Sequence, residues 1–143
     1  MIHDLDLVLS LVKDQIKDIQ ASGASVVSDY IDLANARISF KNGVTANLTA
    51  SRISNKQIRE MRIFEKHQYT KINFNERIVT QNKISHQKIQ KNKILINDSN
   101  ALFVELQSFA NSIINKSKVA VSGNDGLRAL EIATNIQNII ERK

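Results

Sequence analysis

The segment from Asp32 to Arg52 constrains the fold more than any other part of the chain. Apolar and polar residues alternate on both sides of Asn42-Gly43, a dipeptide typical of tight turns. The apolar set is Ala34, Ala36, Ile38, Phe40, Val44, Ala46, Leu48 and Ala50. Alternation with a period of two residues around a turn predicts a β-hairpin with one buried face.

The phase of the alternation also predicts the register of this hairpin. A two-residue loop at Asn42-Gly43 would pair Lys41 with Val44 and put the two apolar sets on opposite faces. Pairing Phe40 with Val44 keeps both sets on one face and leaves a three-residue loop with Gly43 in the left-handed conformation. We expect this register, with the other strands extending the hairpin and the helices covering its apolar face.

Helical spacing of apolar residues marks three segments. Residues 2–13 have one apolar face, and residues 100–115 carry an apolar stripe that should lie on the sheet. A third helix should run from Ser122 to about Glu141, because Ser122 and Asp125 have the spacing of a capping box. Its predicted buried residues are Ala129, Leu130, Ala133, Ile136 and Ile140.

The region between the first two helices is interpreted as antiparallel strands. They are predicted at 15–27 (broken at Ser22-Gly23), through Tyr30 into the hairpin, and at 53–64, 68–74 and 94–96. Residues 76–93 fit either two marginal strands or a long exposed excursion. The order of elements predicts an α+β fold, a predominantly antiparallel open sheet with helices packed on one face, forming a single domain over residues 1–143.

Composition excludes several classes of protein. A chain of 143 residues with 42% hydrophobic residues is long and apolar enough to fold around a core. The absence of cysteine excludes disulfides and thiolate metal sites, and no carboxylate–histidine cluster has metal-ligand spacing. No apolar run has the length of a membrane span, and no secretory leader is visible. We expect a soluble, cytoplasmic protein with no metal and no membrane partner.

The formal net charge of +6 is concentrated in one segment. Between Arg52 and Lys93 there are eleven Lys and Arg residues against three Glu residues. Such a segment could bind nucleic acid, but lysines on solvated strands and sheet edges have the same appearance. We expect no nucleic-acid partner, and binding through residues 52–93 is the least favoured alternative.

The candidate chemistry lies at the N-terminus. His3 stands beside Asp4 and Asp6 at the start of the first helix, where it could be an acid/base group, although a surface histidine is the commoner explanation of this pattern alone. The four glycines all stand where turns or helix caps need them, and none belongs to a G-x-G-x-x-G loop. We therefore expect no dinucleotide site within this chain.

Four segments, taken in order, resemble a known family. They are Ile2–Leu9, with its His3-Asp-Leu-Asp6 run, Ala34–Leu48, Glu105–Phe109 and Ser122–Ala133. Together they are similar to the C-terminal domain of the Gfo/Idh/MocA oxidoreductases (the glucose–fructose oxidoreductase and inositol dehydrogenase family), from residue 2 to about residue 140. The resemblance implies an α+β domain that supplies substrate contacts and an oligomer interface, beside an N-terminal Rossmann domain that binds NAD(P).

The resemblance also implies roles for individual residues. His3 matches a catalytic histidine that takes the proton of a substrate hydroxyl while hydride passes to the nicotinamide, and Arg52 and Asp6 would contact substrate. The aspartate that the family places four residues before this histidine, its Glu-Lys-Pro lysine and its glycine-rich loop are not in this sequence. Family substrates are sugars, cyclitols and sugar nucleotides, and the His-Asp-Leu-Asp run favours sugar nucleotides.

We therefore expect the C-terminal domain of an NAD(P)-dependent oxidoreductase, truncated or cut from its N-terminal domain and inactive alone. The alternative is a free-standing, sheet-based binding or assembly module. In either case we expect a homo-oligomer formed through the polar face of the hairpin, which has few charges. That face comprises Asn35, Arg37, Ser39, Thr45, Asn47, Thr49 and Ser51.

Overall fold

The computed structural model describes residues 1–85, 88–97 and 100–142. These residues form, in order, α1 (Ile2–Leu11), β1 (Ile16–Ala24), β2 (Leu33–Phe40), β3 (Thr45–Ser51), β4 (Glu60–Glu65), β5 (Gln68–Asn73), β6 (Ile78–Ser85), β7 (Lys88–Leu95), α2 (Ala101–Ile114) and α3 (Gly123–Glu141). They fall into two compact units. Unit 1 combines Met1–Asn55 with the residues from Val119 onward, and unit 2 is Lys56–Lys118. That residues 1–143 fold as a single domain stays a prediction.

The hairpin at the centre of unit 1 has the predicted register. β2 pairs antiparallel with β3, and Ile38 lies opposite Ala46. The Phe40 N–H donates to the Val44 carbonyl at 2.9 Å, and Gly43 has a φ of +88°. The three-residue loop and its glycine in the left-handed region are thus confirmed, because only this register places both apolar sets on one face.

The core of unit 1 is the apolar face of this sheet covered by α1 and α3. Its fully buried hydrophobic residues are Leu5, Leu9, Ala21, Ala36, Ile38, Phe40, Leu48, Ala129, Ile132 and Ile136. Burial of a large side chain of this kind contributes roughly 1.5–3 kcal/mol. The predicted burial of Leu130 is wrong: it is 53% exposed, and Ile132 takes a core position because residues 129, 132 and 136 share one face of the helix.

The predicted start of α3 is confirmed. The Ser122 hydroxyl accepts the Asp125 N–H at 3.3 Å, and the Asp125 carboxylate accepts the Ser122 N–H at 2.8 Å. This reciprocal pair satisfies backbone donors that a helix N-terminus would otherwise leave unpaired.

β1 differs from its prediction in two ways. It continues through Ser22-Gly23 without a break, with Gly23 opposite Ala34, and the segment through Tyr30 is a loop and not a strand. A Cβ on Gly23 would lie 2.8 Å from Ile140 Cγ2, so this glycine lets α3 approach the strand closely.

The strands of unit 2 form a separate antiparallel sheet in the order β4-β5-β6-β7. The expectation that every strand extends the hairpin is therefore wrong, since β3 pairs with β2 and has no second partner strand among the described residues. Of the two interpretations of residues 76–93, the two strands β6 and β7 are correct, and the strand expected at 94–96 is the end of β7 and the residue after it. Alternation identifies a strand but does not reveal its neighbour.

α2 begins where it was predicted, with the Asn100 Oδ1 accepting the Phe103 N–H at 3.2 Å. Its apolar stripe, however, is exposed, so the expectation that this helix lies with its stripe on the sheet is wrong. The fold class is confirmed: an α+β arrangement of antiparallel strands with one N-terminal and two C-terminal helices. Within the described ranges, no helix is long and apolar enough to span a membrane.

Candidate functional site

Unit 1 has a cavity of about 520 Å³ where β1, β3 and α3 all end. Its polar lining comes from the 25–31 loop (Asp29 and Tyr30), from Arg52 after β3, and from Gln137 and Glu141 on the last turns of α3. The volume lies within the range of small-molecule sites, and polar groups from three elements converge on it. This cavity is the candidate substrate site.

A buried carboxylate anchors the loop that borders the cavity. Asp32 is 2% exposed, and its Oδ2 accepts the backbone N–H groups of Val26, Val27 and Ser28 at 2.9–3.0 Å. The Ser28 hydroxyl donates to Oδ1 at 2.8 Å. The N–H of Val27 and then that of Val26 do most to hold the pKa of Asp32 far below its usual range. The carboxylate therefore stays charged, and the loop is fixed by its backbone.

The same residue also positions the start of the segment after β3. The Asp32 carbonyl accepts the Arg52 N–H at 3.0 Å, and the Asp32 N–H donates to the Ala24 carbonyl at 3.0 Å. The Arg52 side chain is exposed, and the described residues include no hydrogen-bond or ion-pair partner for its guanidinium. Arg52, predicted to bind substrate, thus lies in the cavity wall with its donors available.

His3 and Asp6 do not line this cavity. α3 lies alongside β1, because Arg128 donates to the Asp14 carbonyl at 2.9 Å and Ile140 packs beside Gly23. A short turn joins α1 to β1, and α1 and α3 pack in the same core. α1 therefore runs antiparallel to β1, and the N-terminus of α1 lies near the C-terminal end of β1. His3 is exposed there and Asp6 is half-buried. The structure places them at the same end of unit 1 as the cavity, outside its wall.

Sequence reasoning missed four of the polar residues of the cavity. Asp29 and Tyr30 were not recognised as site residues, because residues 25–31 were interpreted as part of a strand. The serines at 22, 25 and 28, without alternation of apolar residues, are a signal that could have indicated a loop. Gln137 and Glu141 carry no local signal, since exposed polar residues on a helix are common.

The four glycines of the chain do not form the loop that binds a dinucleotide in a Rossmann domain. Gly23 is in β1, Gly43 is in the hairpin turn, and Gly123 and Gly126 are in the first turn of α3, so none forms a glycine-rich loop between a strand and a helix. The described part of the chain also contains no cluster of three His, Cys, Asp or Glu side chains that could hold a metal ion.

Some of the positive charge of residues 52–93 is paired locally. Lys71 Nζ lies 2.8 Å from Glu60 Oε1, and Arg62 lies 3.3 Å from Oε2 of the same carboxylate. The hydrogen bond from Lys71 is the main reason why the pKa of Glu60 is lowered. The Arg59 guanidinium stacks 5.1 Å from the centre of the Phe74 ring.

Comparison with known proteins assigns the family. The GFO/IDH/MocA C-terminal domain model matches residues 1–67. A UDP-N-acetylglucosamine 3-dehydrogenase of Acidithiobacillus ferrooxidans is 31% identical over 150 aligned positions, which cover 99% of this chain and 47% of the relative. This chain therefore spans about half the length of that curated relative.

Solved structures agree with this assignment. A structure of UDP-N-acetylglucosamine 3-dehydrogenase from A. ferrooxidans matches 99% of this chain and 46% of its own, with a TM-score of 0.93 and 32% identity. Levoglucosan dehydrogenase in complex with NADH and L-sorbose shares the fold, with a TM-score of 0.84 at 15% identity over 99% of this chain and 46% of its own. The chain belongs to the Gfo/Idh/MocA oxidoreductases and constitutes their C-terminal domain.

Proposed function

We propose that this chain is the substrate-contacting half of a cytoplasmic, NAD(P)-dependent dehydrogenase that acts on a sugar nucleotide. Support comes from the relative named UDP-N-acetylglucosamine 3-dehydrogenase, which aligns over 99% of the chain. The observation that carries the proposal is Arg52, whose side chain is exposed at the cavity and whose backbone N–H donates to the Asp32 carbonyl.

The cavity offers the groups that a sugar nucleotide needs. A guanidinium binds phosphate oxygens in a bidentate manner, and Arg52 is the cation among the lining residues. Tyr30 has an exposed ring whose flat face can pack on a base or a sugar. Asp29 and Glu141 have carboxylates that can accept hydrogen bonds from sugar hydroxyls.

His3 is the proposed acid/base group, and Asp6 a proposed substrate contact. Histidine is the side chain most often used to move protons in catalysis, and the His3 imidazole is exposed near the cavity end of unit 1. Asp6 follows three residues later, so both lie on one side of α1. In this proposal His3 accepts the proton of the substrate hydroxyl, and NAD(P) belongs to a separate dinucleotide-binding domain of the parent protein.

Calorimetric titration of this chain with UDP-N-acetylglucosamine tests the cavity. We expect Arg52→Gln to weaken binding roughly tenfold to a hundredfold, because a charge-assisted hydrogen bond contributes about 1.5–3 kcal/mol. Arg37→Gln is the matched control, since Arg37 is an exposed arginine of β2 that does not line the cavity. Equal affinities for the two variants, or no binding by the wild type, would contradict the assignment of the cavity.

A second titration separates the proposal from its alternative. Fluorescence titration with NADH and NADPH should show no binding, because the glycines do not form a dinucleotide loop. Micromolar affinity for either cofactor would overturn the half-enzyme proposal. Absence of both cofactor and sugar-nucleotide binding would favour the free-standing assembly module.

The polar face of the hairpin is a proposed contact between copies of the chain. Its residues are half-buried to exposed, and Thr49 Oγ1 donates to Asn35 Oδ1 at 2.8 Å within it. Asn47→Lys and Thr49→Arg should weaken this contact, because each places an unpaired charge there. Sedimentation over a dilution series measures the effect, and a dimer unchanged by both substitutions would exclude this face.

A further inference from the structure

The described residues of unit 2 include no fully buried hydrophobic side chain. Every fully buried hydrophobic residue of the described chain lies in unit 1. Among the described residues of unit 2, only Thr70 and Ser112 are fully buried, and every side chain of β7 is exposed. A sheet and a helix need a shared apolar interior for stability, and a 14-residue helix is marginal alone in water. Unit 2 therefore presents apolar surface that requires a cover.

A continuous part of that surface is one face of α2, which we call the α2 stripe. It comprises Leu102, Phe103, Leu106, Phe109, Ala110, Ile113 and Ile114. Its six large side chains are each 57–75% exposed. Ser112, the buried residue of α2, and Glu105, its one charged residue, both lie off the stripe. Every residue of α2 except Ser112 is exposed, so the apolar stripe is uncovered.

The size of the stripe indicates a specific interface. With six large side chains exposed to this extent, the stripe presents several hundred Å² of apolar surface, comparable with the roughly 300–600 Å² of the largest patch on a typical monomer. This area is of the same order as the about 800 Å² that each partner contributes to a standard protein–protein interface.

Spacing and charge favour a second copy of this chain as the cover. Leu102, Leu106, Phe109 and Ile113 follow at intervals of four, three and four residues, the seam of a two-helix contact. The stripe has no charge, so two copies can meet without repulsion. The sheet of unit 2 carries Lys71, Lys91 and Lys93 on one face, and pairing that face with itself would bring like charges together.

We propose that α2 pairs antiparallel with α2 of a second copy, about a two-fold axis between Leu106 and Phe109. Leu106 then packs beside Phe109 of the partner subunit, and Leu102 packs beside Ile113 of the partner subunit. The antiparallel direction aligns the helix dipoles favourably and makes the patch self-complementary. This contact is separate from the polar face of the hairpin and needs neither substrate nor cofactor, so it goes beyond the proposed function.

Sedimentation velocity of the full chain over a dilution series tests the pairing. We expect a dimer at high micromolar concentration, and at least tenfold weaker association for Leu106→Glu and Phe109→Glu. Val104→Glu is the matched control, because Val104 is an exposed apolar residue of α2 outside the stripe. Unchanged circular dichroism would show that the variants fold.

Three outcomes would overturn the proposal. A monomeric wild type would mean that another domain or protein covers the stripe. If Val104→Glu weakened the association as much as Leu106→Glu does, the contact would not be specific to the stripe. A dimer that Asn47→Lys dissociates and Leu106→Glu leaves intact would assign the contact to the hairpin face.

Cross-linking tests the direction of the pair, because the chain has no cysteine. Leu102→Cys combined with Ile113→Cys should give a disulfide-linked dimer under mild oxidation, whereas each single variant should not. Within one helix these two positions are about 16 Å apart, too far to bond to each other. Efficient linking of the single variants would instead indicate a parallel pair and would contradict the antiparallel proposal.

Discussion

Units 1 and 2 contain similar elements but bury very different surfaces. Unit 1 packs α1 and α3 on one face of a three-stranded sheet, and Leu5, Ile38 and Phe40 are almost completely inaccessible to water. Unit 2 has a four-stranded sheet and α2, and all of its described large apolar side chains are half-buried or exposed. Regular hydrogen bonding therefore does not show that part of a chain is stable by itself. The apolar area that this part buries is the better indicator of its stability.

The largest expected effect comes from matched phenylalanines in the two units. Phe40→Ala should lower the free energy of unfolding by about 3–5 kcal/mol, because it leaves a cavity in the core of unit 1. Phe64→Ala in unit 2 should cost at most about 1 kcal/mol, since Phe64 is 77% exposed and contributes one ring contact with Tyr69. Urea denaturation of the two variants measures the difference, and equal losses would refute the contrast.

The next largest expected effect is a loss of thermal stability when Asp32 no longer anchors the 25–31 loop. Asp32→Asn should lower the melting temperature of unit 1 by several degrees at neutral pH, because a neutral amide accepts the three N–H groups less strongly. The folded state lowers the pKa of Asp32, so its stabilising contribution is complete above the pKa of the unfolded chain, 3.8, and declines as the pH falls below it.

Thermal denaturation of the wild type and Asp32→Asn from neutral to acidic pH checks this prediction. The gap in melting temperature should be constant down to about pH 5 and should shrink below pH 4. Asp29→Asn is the control, because this neighbouring carboxylate on the same loop is exposed. A gap that widens toward acid would contradict the assignment to Asp32.

Substitutions at turn residues with a positive φ should change the stability of the two units by smaller amounts. Unit 1 uses Gly43 at a φ of +88°, whereas unit 2 places His67 at +65° and Arg77 at +56°. Gly43→Ala should lower the free energy of unfolding by about 1 kcal/mol through strain at a positive φ. No steric clash adds to this loss, because the new Cβ would meet no atom within 4 Å.

The matched substitution in unit 2 should have little net effect. His67→Gly removes left-handed strain but raises the entropy of the unfolded chain, so the two contributions largely cancel. Gly123→Ala is a control, because its Cβ would also lie in open space and its φ is not positive. Urea midpoints compare the three variants. A greater loss for His67→Gly than for Gly43→Ala would reverse this prediction.

The smallest expected effect is binding to nucleic acid by unit 2. Fluorescence anisotropy with duplex DNA should show weak binding that is independent of sequence and lost at moderate salt, because exposed lysines act through counterion release. Glu60 already engages Lys71 and Arg62. A tight complex that survives physiological salt would restore the nucleic-acid alternative.

Local features were predictable from the sequence, whereas the neighbours against which each strand and helix packs were not. The hairpin register followed from the phase of Phe40 and Val44, and the cap of α3 from Ser122 and Asp125, because backbone geometry determines both within a few residues. The separation into two sheets was missed, since alternation shows that a strand has two faces without naming its neighbour.

The same limit applies to α2 and to the cavity. The stripe of α2 correctly predicted an amphipathic helix, but a stripe does not state which surface will cover it. Arg52 entered the candidate site through family resemblance, whereas Gln137 reaches the cavity only through the packing of α3 along β1. Contacts between residues so distant in sequence have no local signature.

The bonds that Asp32 makes to the 25–31 loop have an evolutionary consequence. They reach the backbone of Val26 and Val27 and the backbone and hydroxyl of Ser28, so the loop conformation does not depend on the side chains of Asp29 and Tyr30. Arg52 is likewise held by its own N–H. Substitutions at these lining positions can alter the ligand preference while the loop keeps its path. One aspartate thus holds the loop while the lining side chains stay free to vary at little cost in stability.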